Sequence, residues 1–74
     1  MGEVKNEKLL RAIGLTFKKL RDAKGLTQED VFTDTGIHIG RIETAKNNLS
    51  ISTIHKLCGY YNISLQNFFS ELKF

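Results

Sequence analysis

The spacing of the apolar residues constrains this chain more than any other feature. Leu10, Ile13, Phe17 and Leu20 recur at intervals of three, four and three residues, and Ile51, Ile54, Cys58 and Tyr61 repeat the pattern. At 3.6 residues per turn, positions spaced this way share one stripe, the face by which an amphipathic helix packs on a core. Lys8, Arg11, Lys18 and Lys19 fall off the first stripe, on faces left to water. No alternation of apolar and polar residues runs long enough to offer a strand instead. Proline is absent from the sequence, so glycine, asparagine and serine must stop the helices.

The breaks can be placed by cap chemistry. Lys24 and Gly25 end the first helix, a cation in the last turn followed by a residue at ease in left-handed backbone. Thr27 offers an N-cap, with Gln28, Glu29 and Asp30 in the next first turn and Leu26 and Val31 placed as a hydrophobic staple. This second helix is expected to be short, about Gln28 to Thr33. Thr35 is the next cap by residue type, opening a helix to about Thr44 with Ile39 and Ile42 on one face. Ala45 to Ser50 reads as a polar turn. Asn62 breaks the helix that follows, and Ser64 caps the last one. Its apolar face is Leu65, Phe68, Phe69 and Leu72, with Ile63 and Phe68 as a second staple. Five helices joined by connections of about two to six residues define an all-α domain. The domain spans residues 1–74, with residues 1–6 expected as a flexible N-terminal arm and a central helix-turn-helix at about 27–44.

Composition removes several classes of function. A chain of 74 residues, 41% hydrophobic and 26% charged, supplies one modest core and little beyond it. Cys58 is the sole cysteine, which excludes an intrachain disulfide and a cysteine-rich zinc site. There is no apolar run of the length a membrane helix needs. Met1 to Lys8 is polar and mixed in charge, unlike a secretory leader, so the expected location is cytoplasmic. His55 and Cys58 stand three apart and could form a nucleophile–base or metal pair, but Cys58 lies on the apolar stripe, where a buried thiol is the usual meaning. With no third triad partner, second ligand cluster or glycine-rich phosphate loop, neither catalysis nor a metal or other cofactor is expected. Phe17, Phe68 and Phe69 read as core before they read as a stacking platform for single strands.

The net charge of +3 and pI near 9.2 suit a polyanion without demanding one. Residues 1–24 carry net +4 and residues 44–74 net +2, but residues 25–43 carry net −3, with Arg41 against Glu29, Asp30, Asp34 and Glu43. An acidic middle opposes a simple basic-patch reading.

Two short helices joined by a turn, with a longer helix on each side, form the layout of a helix-turn-helix DNA reader. The chain resembles the Cro/repressor-type (XRE) helix-turn-helix domains of the lambda-repressor-like fold from about Ile13 to Leu72. The resemblance rests on Phe17-Lys-Lys-Leu20-Arg21, Lys24-Gly-Leu-Thr-Gln-Glu-Asp-Val31, Ile39-Gly-Arg-Ile-Glu43, Ser50-Ile-Ser-Thr-Ile54 and Ile63-Ser-Leu65, in that order and spacing. Two departures stand out. From Thr27 to Glu43 the chain is three residues shorter than the family's usual spacing, and the usual small-residue turn between helices two and three has no clear counterpart. Aligning Thr35 with the cap of the recognition helix assigns the shortening to helix two. Also, Ala45 stands where the family usually has glycine and Leu49 where it has proline. A left-handed alanine would cost about 1 kcal/mol, so the recognition helix is expected to end differently.

The resemblance implies duplex DNA as partner and a set of site residues. Gln28, at a helix N-terminus where free N–H groups and the dipole attract phosphate, would grip the DNA backbone; a solvated polar residue is its plain alternative. Arg21 and Glu43 match a family pair that neutralises the glutamate and aims the arginine at a phosphate. Base-reading positions fall on Gly36, Ile37 and Arg41. Arg41 can meet guanine O6 and N7 with two hydrogen bonds or a phosphate instead. Ile37 can touch a thymine methyl or pack into the core, and Gly36 can only permit close backbone approach. His38 could donate to a base or phosphate, or simply be exposed. Thr44, Lys46, Asn47 and Asn48 form the loop where family members hold phosphates. Few strong readers suggest a leaning on DNA shape and on dimer spacing. A homodimer is expected through Phe68, Phe69, Leu72 and Phe74. The acidic middle keeps a second class open: a protein-binding module on the same fold, such as an antitoxin or a transcription bridging factor.

Overall fold

The computed structural model describes residues 4–73. Five helices follow in order: α1 (Glu7–Ala23), α2 (Gln28–Thr35), α3 (Ile39–Glu43), α4 (Ile51–Tyr60) and α5 (Leu65–Ser70), with no strand among the described residues. Four begin at side-chain caps. Asn6 accepts from the Leu9 amide, Thr27 from Asp30, Ser50 from Thr53 and Ser64 from Asn67, each satisfying a donor that the first turn leaves free. At α2 the Asp30 carboxylate also accepts from the Thr27 amide at 2.9 Å, completing a capping box. α3 alone starts without a side-chain cap bond.

The stripes converge on one core of Ile13, Phe17, Val31, Ile39, Ile54, Leu57, Cys58, Tyr61 and Phe68. Phe17 is its centre, stacked on Phe68 at 4.4 Å between ring centroids and tilted against Tyr61 at 5.9 Å. Leu57 takes the buried place in α4 that the spacing assigns to Ile51. Ile51 lies in the first turn and is exposed.

α1 and α3 approach closely at Gly14. A Cβ built there would stand 2.4 Å from the Ile42 carbonyl oxygen and 3.0 Å from that of Glu43. The missing side chain lets a backbone as short as α3 lie directly on a buried helix face.

Three expectations are corrected. α2 continues through Thr35, so Thr35 is not the cap of the recognition helix. Its hydroxyl donates to the Val31 carbonyl at 2.7 Å and accepts from the Ile37 amide at 3.0 Å. Gly36 caps the end of α2 at φ +75°, supplying the small-residue turn that the sequence seemed to lack. The third helix, expected as the recognition helix over 35–44, therefore spans Ile39–Glu43, and the three-residue shortening falls on it instead of on α2. Lastly, Ala45 is left-handed after all, at φ +57°. The helix ends there as it would with glycine, and the side chain imposes a cost of about 1 kcal/mol. Of the residues expected as an arm, Val4 accepts through its carbonyl from Asn48 Nδ2 at 3.0 Å, and Lys5 Nζ donates to the Lys46 carbonyl at 3.1 Å.

Two predictions follow from the packing. Gly14→Ala forces α1 and α3 apart and should destabilise the fold by about 1–3 kcal/mol, the usual cost of overpacking, read as a lower denaturant midpoint. Tyr61 is buried, and its hydroxyl finds no protein hydrogen-bond partner among the described residues. Burial, reinforced by the charge of Glu43, pushes its pKa up to about 12. The unfolded chain ionises this phenol near pH 10 while the folded chain still holds it neutral. Its contribution is therefore complete below pH 10 and is lost as pH rises towards 12. Tyr61→Phe should leave stability at pH 7 within about 1 kcal/mol of the parent and flatten the decline between pH 10 and 12 in alkaline melts.

Candidate nucleic-acid interface

The site is organised around Glu43, the last residue of α3. Arg21 of α1 meets it with two hydrogen bonds, Nε to Oε2 at 2.7 Å and Nη2 to Oε1 at 3.1 Å. Gln28 Nε2 of α2 donates to the same Oε1 at 3.0 Å, and Arg21 Nη1 donates to the Leu26 carbonyl at 2.8 Å. The two charged side chains are only 11% and 4% exposed. The bidentate bond to Glu43 raises the Arg21 pKa above its ordinary value, so the guanidinium stays charged against its partner carboxylate. This network joins α1, the loop before α2, α2 and α3.

The other acidic groups of the middle segment are also partly occupied. Asp30 serves the capping box, and its bonds to Thr27 hold its carboxyl below the usual range. Asp34 Oδ2 accepts from the Tyr60 hydroxyl at 2.6 Å, which pushes that phenol up to about 12. Glu29 alone of the four has no bond among the described residues. The net −3 of residues 25–43 therefore overstates the negative charge this face can present.

Arg41 and Lys46 project from α3 and the following loop without an ion pair among the described residues. With Gln28, Glu29, Phe32, His38, Ile39, Gly40 and Thr44 they line an open concavity of about 540 Å³, in which Glu29 is the one acidic side chain against the two cations. Gly40 forms its floor: a Cβ there would stand 3.0 Å from Gln28 Oε1, so the glycine leaves room for that amide. Thr44 closes α3, its hydroxyl donating to the Gly40 carbonyl at 3.0 Å. Asn47 and Asn48 are exposed in the next loop.

The remaining sequence-predicted positions are dispersed. Gly36, Ile37 and His38 lie in the turn before α3, not on the helix. Ile37 is half-buried and packs against the core. His38 is exposed and stacks on Phe32, with ring centroids 4.4 Å apart and planes 24° from parallel. Arg21 is turned inward by its bonds. Phe32, which the sequence reading passed over, is 43% exposed beside the concavity. A signal for it existed: an aromatic directly after Val31 must lie off the buried stripe of α2. Of the expected dimer surface, Phe68 is wholly buried against Phe17, because the core closes over it, and it cannot serve an interface. Leu72 is half-buried, Phe69 is 40% exposed, and Phe74 lies outside the described residues. Cys58 is buried and its thiol is pushed up by that burial, while His55 is exposed, so the two do not share a reactive site.

A cap-and-turn pair of short helices, braced by a long helix and carrying unpaired cations beside its second member, defines a DNA-binding helix-turn-helix domain. The family model for helix-turn-helix domains matches residues 17–68, and the chain belongs to this family, of Cro/repressor type. No curated protein matches the chain. Among the described residues no helix is long and apolar enough to cross a membrane.

The network around Glu43 yields a direct test. Glu43→Ala leaves the buried Arg21 guanidinium without its bidentate carboxylate and should cost about 3–5 kcal/mol, whereas the double replacement Arg21→Met with Glu43→Leu should cost less than the single change. Urea melts of both variants check the ordering.

Proposed function

We propose that this chain is a sequence-specific duplex-DNA binder that regulates transcription in the cytoplasm, with α3 lying in the major groove. One observation carries the reading: among the described residues, Arg41 and Lys46 stand exposed beside α3 with no ion pair, while Glu43, Asp30 and Asp34 are engaged elsewhere and Glu29 alone of the nearby carboxylates is free. Arg41 is the base reader, since its guanidinium can span guanine O6 and N7. Lys46, Thr44, Asn47, Asn48 and the N-terminal turn of α2 at Gln28 hold the phosphates on either side. Arg21 acts through Glu43, fixing the angle of α3 rather than reaching DNA itself.

One domain makes few base contacts, so a homodimer on two half-sites about one helical turn apart is the assembly that gives useful specificity. With Phe68 committed to the core, its surface reduces to Phe69, Ile51 and Val4, the exposed apolar residues around a groove that Leu9 and Leu49 also line.

Selection from random duplex pools at several salt concentrations tests the proposal. Enrichment of a two-fold symmetric site, with log affinity falling against log salt, is the expected result. Arg41→Ala should weaken binding to the enriched site by about 1–3 kcal/mol, and Lys46→Ala should reduce the salt slope by about 0.9 per subunit, both without lowering the melting temperature. Absence of duplex binding at low salt would sink the reading. Copurification of a protein whose binding survives both changes would replace it with the protein-module alternative.

A further inference from the structure

The reading face of α3 is sparsely supplied. Of its five residues, Ile39 is buried, Gly40 has no side chain, Ile42 is half-buried against the core and Glu43 is tied to Arg21. Arg41 alone projects with chemistry that can meet a base. The short α3 supplies no earlier turn of side chains at the His38 end of the concavity.

Phe32 and His38 occupy that end. Phe32 keeps 43% of its surface in contact with solvent although it belongs to a domain with an apolar core to join. Its ring is held against the imidazole of His38 at 4.4 Å, so two elements fix it, α2 and the turn into α3. Both residues line the same concavity as Arg41, Lys46 and Gln28. A fixed apolar ring beside two cations that have no ion pair among the described residues, with Glu29 the one carboxylate opposing them, suits a ligand that is anionic at its edges and apolar at one point within. The major groove offers one apolar group on base-pair edges, the 5-methyl of thymine; cytosine at the same position has a hydrogen there.

We infer that Phe32, positioned by His38, is a specificity-determining residue that takes a thymine methyl in the major groove, in place of side chains from the missing turn of α3. The inference rests on the duplex-binding reading above and adds to it a residue outside α3 and the base it selects. Ile37, the residue first suited to a thymine methyl, is drawn towards the core, and Phe32 is the apolar side chain that faces the concavity in its stead.

The test uses the full chain and the duplex enriched by selection. Each thymine is replaced in turn by deoxyuridine, which removes the methyl and nothing else. The parent should lose about fourfold in affinity at one position per half-site, the worth of one methyl-sized group withdrawn from water. Phe32→Ala should bind the thymine and deoxyuridine duplexes equally, with the salt slope unchanged, and Phe32→Leu should keep part of the discrimination. A second measurement needs no variant: 5-iododeoxyuridine at the sensitive position, close to thymine in shape, should photo-crosslink to the peptide containing Phe32. Indifference of the parent to every deoxyuridine, undiminished discrimination in Phe32→Ala, or a crosslink mapping to α3 or Ile37 would each overturn the inference while duplex binding stands. Failure of the parent to bind any duplex would instead remove the reading beneath it. Capture of a protein by the parent that is lost in Phe32→Ala, with DNA affinity unmoved, would reassign the patch to a protein partner.

Discussion

The bidentate contact between Arg21 and Glu43 is the interaction on which the rest of the site depends. A helix of five residues without a side-chain cap cannot hold itself together, because a turn or so of hydrogen bonds does not offset the entropy of fixing its backbone. α3 exists because its surroundings impose it. Ile39 is sunk in the core, Gly14 lets the Ile42 and Glu43 backbone rest on α1, and Glu43 is clamped by Arg21 and Gln28. Remove the clamp and the helix loses its orientation before the domain loses its core. Burying the pair is costly in itself. Two further hydrogen bonds, from Gln28 to Glu43 and from Arg21 to the Leu26 carbonyl, make that burial tolerable.

The same clamp resolves the electrostatic objection raised by the sequence. Counting charges by segment gives an acidic middle, but formal charge is not potential. A carboxylate held by a guanidinium presents little field outside, and one that caps a helix is partly offset by the positive end of the dipole. With Glu43 and Asp30 occupied in these ways, Glu29 is the one carboxylate that faces Arg41 and Lys46 in the concavity, although acidic groups outnumber Arg41 within residues 25–43.

Much of the fold was legible because its signals are local. Apolar spacing marks α1 and α4, and Thr27, Ser50 and Ser64 act as caps where residue type alone would place them. Thr35 shows where that logic breaks. Threonine is a good cap, but its hydroxyl can also bond back to the carbonyl four residues earlier. Here it does so, inside the last turn of α2, while accepting from Ile37 two residues on. The left-handed Gly36 ends α2 just after it, and a distant contact adds to this: Lys56 Nζ reaches from α4 to the Thr35 carbonyl at 3.0 Å. A contact across 21 residues leaves no mark on local sequence. Phe68 was misjudged for a related reason. Periodicity put it on an apolar face with Phe69, but only the packing of Phe17 determines which of the two is enclosed.

Misplacing the shortening changed the functional reading more than the fold. Had it fallen in α2, α3 would present a full set of readers and Gly36 to His38 would lie on its surface. On the proposed duplex-binding reading, the short α3 leaves specificity to Arg41, the deformability of the site and side chains borrowed from neighbouring elements. Phe32 is the side chain proposed for this role, exposed beside the concavity and held against His38. A recognition surface assembled from α2, a turn and a stub of helix is also more rigid than it first looks. Each piece is fastened to α1 or the core, so it can hold a base edge with little ordering cost at the moment of binding.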